Sequence, residues 1–180
     1  LIDIFTLNLD SYDLVISDFE PISAWASKIK GKPSIQLSHQ CSLFSNKSPR
    51  PKKIDYIAEF FIRWYGPCDK NIGFHFKKYD KHILGPLLRD KIINAEPKKG
   101  DYYVVYLWNY SSDYIVNILS NFDDFQFKIF DSKINKVINN KNCEVIPTGD
   151  DVFFNAILNC KGVICGAGFE LPAEVIYLKK

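Results

Sequence analysis

The 180-residue sequence contains no methionine, so we expect it to be a piece of a longer chain. It also lacks any run of about 18 apolar residues, which argues against a transmembrane helix. The net charge is only +2, without the basic excess that is typical of nucleic-acid-binding proteins. We therefore expect no nucleic-acid partner.

The number and spacing of the cysteines indicate the redox compartment. The five cysteines are odd in number and form no Cys-x-x-Cys pair, which disfavours a disulfide scaffold or a zinc module. No charged-then-apolar leader opens the sequence, so no secretory signal is expected. These features indicate free thiols in the reducing cytoplasm.

The first half of the sequence reads as strand, helix, strand. Residues 13–18 form a short apolar run typical of a buried parallel strand, and Pro21 suits the first position of a helix that stops at Gly31. Residues 33–38 predict the next strand. This βαβ pattern predicts a parallel sheet.

The middle of the sequence is less regular. Residues 41–53 are polar and contain two prolines, which predicts a mobile loop before a helix over 54–64. Weak alternation predicts a strand at 72–76. Two Gly/Pro breaks make residues 85–100 the best candidate for an interdomain linker.

The second half predicts a second α/β unit over residues 101–180. Strands are expected at 102–108, 125–130, 143–146 and 162–165; helices are expected after Ser112, after Asp150 or Asp151, and at 169–178. The predicted fold class is therefore α/β, with two doubly wound, Rossmann-like parallel-sheet units.

The turn after the last predicted strand is the best candidate binding element. Ligands of open parallel sheets bind beyond the carboxyl ends of the strands. Gly166 and Gly168 would let the backbone approach a ligand, and the partial positive charge of the following helix N-terminus favours phosphate. Glu174, farther along that helix, would accept hydrogen bonds from a ribose. The alternative is a plain strand–helix connection with a solvated glutamate.

Several short motifs in the sequence resemble those of a known protein family. Residues 166–174, GAGFELPAE, resemble the donor-nucleotide motif of GT-B glycosyltransferases, in which a glycine, an aromatic residue and a later glutamate recur; Gly168, Phe169 and Glu174 match it. Residues 13–21, 31–35 and 39–40 are similar to the end of the acceptor domain in the branch containing the lipid II-forming N-acetylglucosaminyltransferase and its uncharacterised relatives. Residues 85–89 are similar to the start of its donor domain.

The resemblance implies both a domain plan and an activity. Residues 1–84 would be the C-terminal part of the acceptor-side domain, 85–100 the linker and 101–180 an incomplete donor-nucleotide domain, with both ends truncated. The implied activity is transfer of a sugar from a nucleotide sugar, with UDP as the expected nucleotide, to a saccharide or lipid-linked acceptor. No metal and no cofactor are expected. A nucleotide-sugar epimerase and a non-catalytic nucleotide-sugar-binding subunit remain alternatives.

Two residues at adjacent predicted strand ends are the catalytic candidates. Asp18 would orient or deprotonate an acceptor hydroxyl, and His39 would act as general base; both are expected to face the donor domain across a cleft. Glu20 and Gln40 are assigned to the acceptor side. The alternatives are that Asp18 caps the next helix, that Glu20 is solvated and that His39 only holds a loop.

The donor site is assigned mainly from the resemblance. Short polar residues after the strand at 102–108 are expected near the phosphates, and backbone groups after the strand at 143–146 near the nucleobase. The predicted nucleotide-sugar-binding residues are Asn109, Ser111, Ile146, Gly166, Ala167, Gly168, Phe169, Glu170, Leu171 and Glu174.

The remaining features have ordinary explanations that we favour. His75 and His82 are expected to be structural or solvated, and Asp150 with Asp151 to cap a helix instead of binding a metal. Residues 47–64 combine basic side chains with an aromatic helix. The favoured interpretation is a core-facing helix behind a solvated loop; the alternative is a peripheral contact with an anionic membrane or a lipid-linked acceptor at the inner membrane face.

Overall fold

A computed structural model describes residues 2–180, which fold into two compact α/β units divided between Leu87 and Leu88. Unit 1 contains α1 (Ile2–Thr6), β1 (Val15–Ser17), α2 (Pro21–Lys30), β2 (Ser34–Ser38), a 3-10 turn (Gln40–Phe44), α3 (Tyr56–Trp64), β3 (Lys70–Phe74) and β4 (Ile83–Leu84). Unit 2 contains α4 (Asp90–Ile93), β5 (Tyr102–Tyr106), α5 (Ser112–Leu119), β6 (Gln126–Asp131), β7 (Ile138–Asn140), β8 (Cys143–Pro147), α6 (Asp150–Leu158), β9 (Gly162–Cys165) and α7 (Glu170–Tyr177).

The sheet of unit 1 is fully parallel, in the order β1-β2-β3-β4. The predicted strand–helix–strand unit is confirmed: α2 begins at Pro21 and is capped at its C-terminus by Gly31, whose φ of 65° is the left-handed conformation that glycine adopts without strain. Because the strands are parallel, the residues that follow β1, β2 and β3 lie at one edge of the sheet.

The prediction of a mobile loop at 41–53 is wrong for the first residues of this segment. The chain enters the 3-10 turn directly after β2, and Cys41, Ser42 and Ser48 are buried. The turn packs closely on β3, because a Cβ atom at Gly73 would lie 2.5 Å from the backbone nitrogen of Ser42. Only glycine leaves room for this contact.

Gly73→Ala is therefore expected to lower the free energy of unfolding of unit 1 by about 1–3 kcal/mol, the range typical of overpacking. Urea unfolding of the full-length protein would measure the change. Gly85→Ala is the matched control, because a Cβ atom at Gly85 meets nothing within 4 Å. Equal effects of the two substitutions would contradict the packing argument.

The sheet of unit 2 has the order β7-β8-β6-β5-β9, with four parallel strands and β7 antiparallel to β8 at one edge. Its two faces are both covered. Val105 packs in a cluster with Ile115 of α5, and Val104 packs in a separate cluster with Ile157 of α6 and Val175 of α7. Helices on both faces of a mainly parallel sheet confirm the doubly wound α/β class.

Several boundaries differ from the sequence predictions. The chain from Leu88 onward belongs to unit 2, where Ile92 of α4 is fully buried in the core. Ser111, not Ser112, is the N-cap of α5. Gly149 occupies the cap position of α6, so Asp150 and Asp151 lie in its first turn. There the two carboxylates are still favoured by the helix dipole.

Within residues 2–180, no helix has both the length and the apolarity that a membrane crossing requires.

Candidate functional site

The topology of unit 2 creates a switch point between β5 and β9. From β5 the chain proceeds outward to β6 and β8, then returns to place β9 on the other side of β5. Both neighbours of β5 are parallel to it, and Tyr106 is paired with Cys165 at the carboxyl end. The loops that leave β5 and β9 therefore start side by side. In open α/β sheets, ligands bind in the crevice at this position.

The turn after β9 is open to a ligand. Gly166, Ala167 and Gly168 are exposed, and a Cβ atom at either glycine would meet nothing within 4 Å. Neither glycine has a positive φ. The fold of unit 2 therefore does not itself require glycine at these two positions. The open space instead allows close approach of a ligand to the backbone.

The helix that follows this turn is suited to an anion. Phe169, its N-cap residue, has no side-chain acceptor with which to cap the first amides. Glu170 is exposed at the first position, whereas Leu171 packs against the core of unit 2 and anchors the helix. Pro172 has no backbone N–H, so the backbone donors of the first turn of α7 come from the other residues of that turn.

Gly168→Ala separates ligand binding from folding. It is expected to change the stability of unit 2 by less than about 0.5 kcal/mol, since the methyl group points into open space. If phosphate approaches this turn, the same methyl group should weaken binding of UDP at least about tenfold. Calorimetric titration of the full-length protein measures the affinity, and Gly149→Ala, also in open space, is the control. A variant that binds UDP as tightly as the wild type would exclude close phosphate contact at Gly168.

The loop after β5 is less suited to phosphate. Ser111 accepts a hydrogen bond from the Tyr114 amide at 3.3 Å, and Asn109 is exposed. The start of α5 already has an anionic neighbour in Asp131, whose pKa is lowered mainly by the Lys133 amide and further by hydrogen bonds with Ser112. This carboxylate would repel a phosphate at α5. The start of α7 also carries a carboxylate, that of Glu170, so the preference for the β9–α7 turn as the phosphate position rests on its open backbone at Gly166 and Gly168. Asn109 and Ser111 stay predictions.

Ile146 lies at the carboxyl end of β8, where it is paired with Phe130 of β6. Its side chain is buried in the core of unit 2. Only its backbone groups are therefore left for a nucleobase, which is the role that the sequence suggested.

Glu174 is not the solvated residue that the alternative interpretation of this segment assumed. It is buried, and both of its oxygens accept hydrogen bonds from Arg89, from Nε at 2.6 Å and from Nη2 at 2.7 Å. The Arg89 side chain is 43% exposed. Since a carboxylate has about four acceptor directions, a ribose contact stays a prediction. Through Arg89, Glu174 also joins α7 to the start of α4.

Arg89 was not assigned as a site residue from the sequence. Its pKa is raised by the hydrogen bond with Glu174, and the charges of Asp150 and Glu170 contribute. It therefore brings a permanent cation close to the first turns of α6 and α7. The available signal was its place at the end of residues 85–89, the segment similar to the start of a donor domain.

In unit 1, the residues after β1 form a strained turn. Phe19 has a φ of 50°, an uncommon conformation for a bulky side chain, and its ring packs 5.0 Å from that of Tyr65. Asp18 is exposed and does not cap α2. Glu20 is the cap instead, accepting hydrogen bonds from the amides of Ile22 and Ser23. The alternative that Asp18 caps α2 is therefore wrong, and so is the alternative that Glu20 is only solvated.

The amide hydrogen bonds also affect the charge of Glu20. Burial by itself would raise its pKa, but the hydrogen bonds from Ser23 and Ile22 outweigh burial and lower it. Its carboxylate is therefore ionised and already used by α2. A contact of Glu20 with an acceptor stays a prediction, as does one of Gln40, which begins the 3-10 turn.

His39 follows β2 directly, and its ring is oriented by the neighbouring strand. Its Nδ1 lies 3.2 Å from the carbonyl oxygen of Phe74. Since a carbonyl only accepts, Nδ1 carries the proton, and the neutral ring has its lone pair on Nε2. This is the tautomer that a general base uses.

His75 follows β3, the strand next to β2, and lies close to His39. Its pKa is lowered by burial and by the charge of His39. Its ring packs edge-on against Tyr79 at 4.9 Å. Sequence reasoning missed this neighbour because it placed the strand at 72–76, two residues late, so that His75 fell inside the strand and not at its end.

Comparison with known proteins identifies the chain. A model of Glycosyl transferase family 1 matches residues 6–180. The chain belongs to this family. No curated protein and no solved structure matches it.

Membership of Glycosyl transferase family 1 agrees with the two parallel-sheet units and assigns the chain to the GT-B type. The resemblance to GT-B glycosyltransferases is thereby confirmed at the level of the family. Sugar transfer is the general activity of this family, which requires a donor and an acceptor.

The Cys41 thiol is poorly suited to act as a nucleophile. Burial raises the pKa of the Cys41 thiol to about 11, so it is protonated at neutral pH and a poor nucleophile. Within residues 2–180, no three His, Cys, Asp or Glu side chains are grouped so that they would hold a metal ion.

Proposed function

We propose that this family 1 glycosyltransferase uses a nucleotide-sugar donor, with UDP as the nucleotide, and transfers the sugar to a saccharide or lipid-linked acceptor without a bound metal. The observation that carries the proposal is the pairing of β5 with β9, which puts the open turn at 166–168 at the switch point of unit 2. We further propose the branch that resembles the lipid II-forming N-acetylglucosaminyltransferase.

The donor diphosphate would lie at the start of α7. The amides and dipole of this helix favour the charge that develops on the leaving group, and they are fixed before the reaction begins. Arg89 adds a guanidinium held by Glu174. These groups supply the charge stabilisation for which other enzymes use a divalent cation.

Unit 1 would supply the acid–base groups. His39, with its lone pair on Nε2, would remove the proton from the attacking hydroxyl, and Asp18 would orient that hydroxyl. Asp18 is exposed after β1, next to the strained backbone of Phe19. Backbone strain of this kind is concentrated at functional sites in proteins.

Incubation of the full-length protein with a panel of nucleotide sugars tests the proposal. Release of UDP with transfer or slow hydrolysis, unchanged by EDTA, is the expected result. An isomerised sugar would indicate an epimerase instead, and binding without any reaction would indicate a non-catalytic subunit. Gly168→Ala should reduce UDP release at low donor concentration, whereas the Gly149→Ala control should not.

A further inference from the structure

The aromatic helix α3 has an apolar face that is exposed. Ile57, Phe60, Phe61 and Trp64 follow one another at helical spacing, and they are 70, 60, 60 and 48% exposed. No residue of α3 is buried. The favoured interpretation, a helix whose apolar side faces the core, is therefore wrong for unit 1. We call these four residues the α3 face.

The α3 face continues across the start of α2. A groove of about 480 Å³ runs between the two helices, with Pro21, Ile22 and Trp25 on the α2 side. The phenylalanine rings contact each other edge-on at 6.1 Å. The result is one contiguous apolar and aromatic surface, larger than scattered exposed residues would give.

Basic residues border this surface. Residues 45–66 contain five basic and two acidic side chains, a net charge of +3 in a chain whose total is +2. Both acidic side chains are already used within the segment: Glu59 pairs with Arg50, and Asp55 caps α3. Lys52 and Lys53 are exposed in the segment that leads into α3. Since Arg50 is paired with Glu59 and Lys47 with Asp80, the positive charge of this segment is carried mainly by Lys52, Lys53 and Arg63.

We propose that the α3 face binds the surface of an anionic lipid bilayer. Aromatic and branched apolar side chains on one side of a helix, bordered by lysine and arginine, are the composition of helices that lie in the membrane interface. Lysines 52 and 53 would pair with anionic headgroups while the phenylalanines enter the acyl boundary. This proposal goes beyond sugar transfer and does not depend on it.

A second copy of the chain fits the same surface less well. In a two-fold contact the same patch faces itself, so the net positive segment of one copy would lie against that of the other. Like charges brought together in this way are unfavourable. An anionic bilayer offers both the apolar phase and the opposite charge.

Vesicle sedimentation of the full-length protein tests the proposal. Binding is expected to vesicles of phosphatidylcholine with about 30 mol% phosphatidylglycerol, to weaken with salt, and to be much weaker with phosphatidylcholine alone. Phe60→Ser/Phe61→Ser should lower the partition coefficient about 100-fold, and Lys52→Ala/Lys53→Ala about 20-fold. Both variants should melt within a few degrees of the wild type.

Matched controls come from unit 2. Phe122→Ser removes a phenylalanine that is 49% exposed, and Lys98→Ala/Lys99→Ala removes an exposed lysine pair. Neither should change vesicle binding. Phe61→Cys reports the surface directly: in solution a maleimide should add one label beyond those on the native free thiols of the wild type, and anionic vesicles should protect this added site.

Three results would overturn the proposal. The first is equal binding of wild type and Phe60→Ser/Phe61→Ser to anionic vesicles. The second is protection of Phe61→Cys from the maleimide without lipid, which would show that another part of the full-length protein covers the face. The third is a dimer that the phenylalanine substitutions convert to a monomer, which would assign the face to a second copy.

Discussion

Replacement of His39 by alanine is expected to lower kcat by about 10²–10⁴-fold, the range for loss of a general base. The reason is the orientation of the ring: Nδ1 lies 3.2 Å from the carbonyl oxygen of Phe74, so that Nε2 is the nitrogen of the neutral ring that we propose as the base. KM for the donor should change little, because the donor is assigned to unit 2. Steady-state kinetics of the full-length protein with its nucleotide sugar would measure both constants.

Two further variants separate catalysis from structure. His39→Gln keeps a side-chain donor for the Phe74 carbonyl but offers no base, so it should be as inactive as His39→Ala while remaining folded. His82→Ala removes an exposed histidine of the same unit and should leave kcat unchanged. Full activity of His39→Gln would show that His39 only positions the loop after β2.

Breaking the Arg89–Glu174 pair is expected to produce the largest loss of stability. Arg89→Ala leaves a buried carboxylate without its bidentate partner, which should cost about 3 kcal/mol, the lower end of the range for buried pairs because Arg89 is partly exposed. The same pair links residues 85 positions apart, at the start of α4 and within α7. Its loss should therefore loosen the helix that carries the proposed phosphate position.

Glu174→Ala tests the ribose contact and the ion pair together. It should weaken UDP binding about ten- to a hundredfold, as expected for a charged hydrogen bond of about 1.5–3 kcal/mol. Hydrogen exchange of the β5 and β6 amides would report the stability of unit 2 in each variant. Glu144→Ala, which breaks the half-exposed Lys128–Glu144 pair, is the control and should cost less than about 1 kcal/mol. If Arg89→Ala and Glu144→Ala are equally stable, the buried pair contributes no more than a surface one.

Strong periodic patterns allowed most of the fold to be predicted. The strand at 162–165 was predicted with its observed bounds, and β2 and β8 to within one residue, because apolar runs ended at clear turn signals. The short elements β4, β7 and α4 were missed. The three residues of β7 are all exposed, so no apolar pattern marks this antiparallel edge strand.

The candidate site was less predictable, since it depends on partners distant in sequence. The motif at 166–174 identified the turn and the helix, but no local pattern showed that Glu174 would be buried against Arg89. The α3 face was misjudged for a similar reason. Helical spacing of apolar residues shows that a helix is amphipathic, but it does not show what covers the apolar side.

Amide NMR of the full-length protein during titration with UDP is the most direct test of the donor site. The largest shift changes are expected on residues 166–171 after β9, with smaller changes in the loop after β5 at the same switch point. Unperturbed amides at 166–171, with UDP bound elsewhere on the protein, would contradict the proposed donor site.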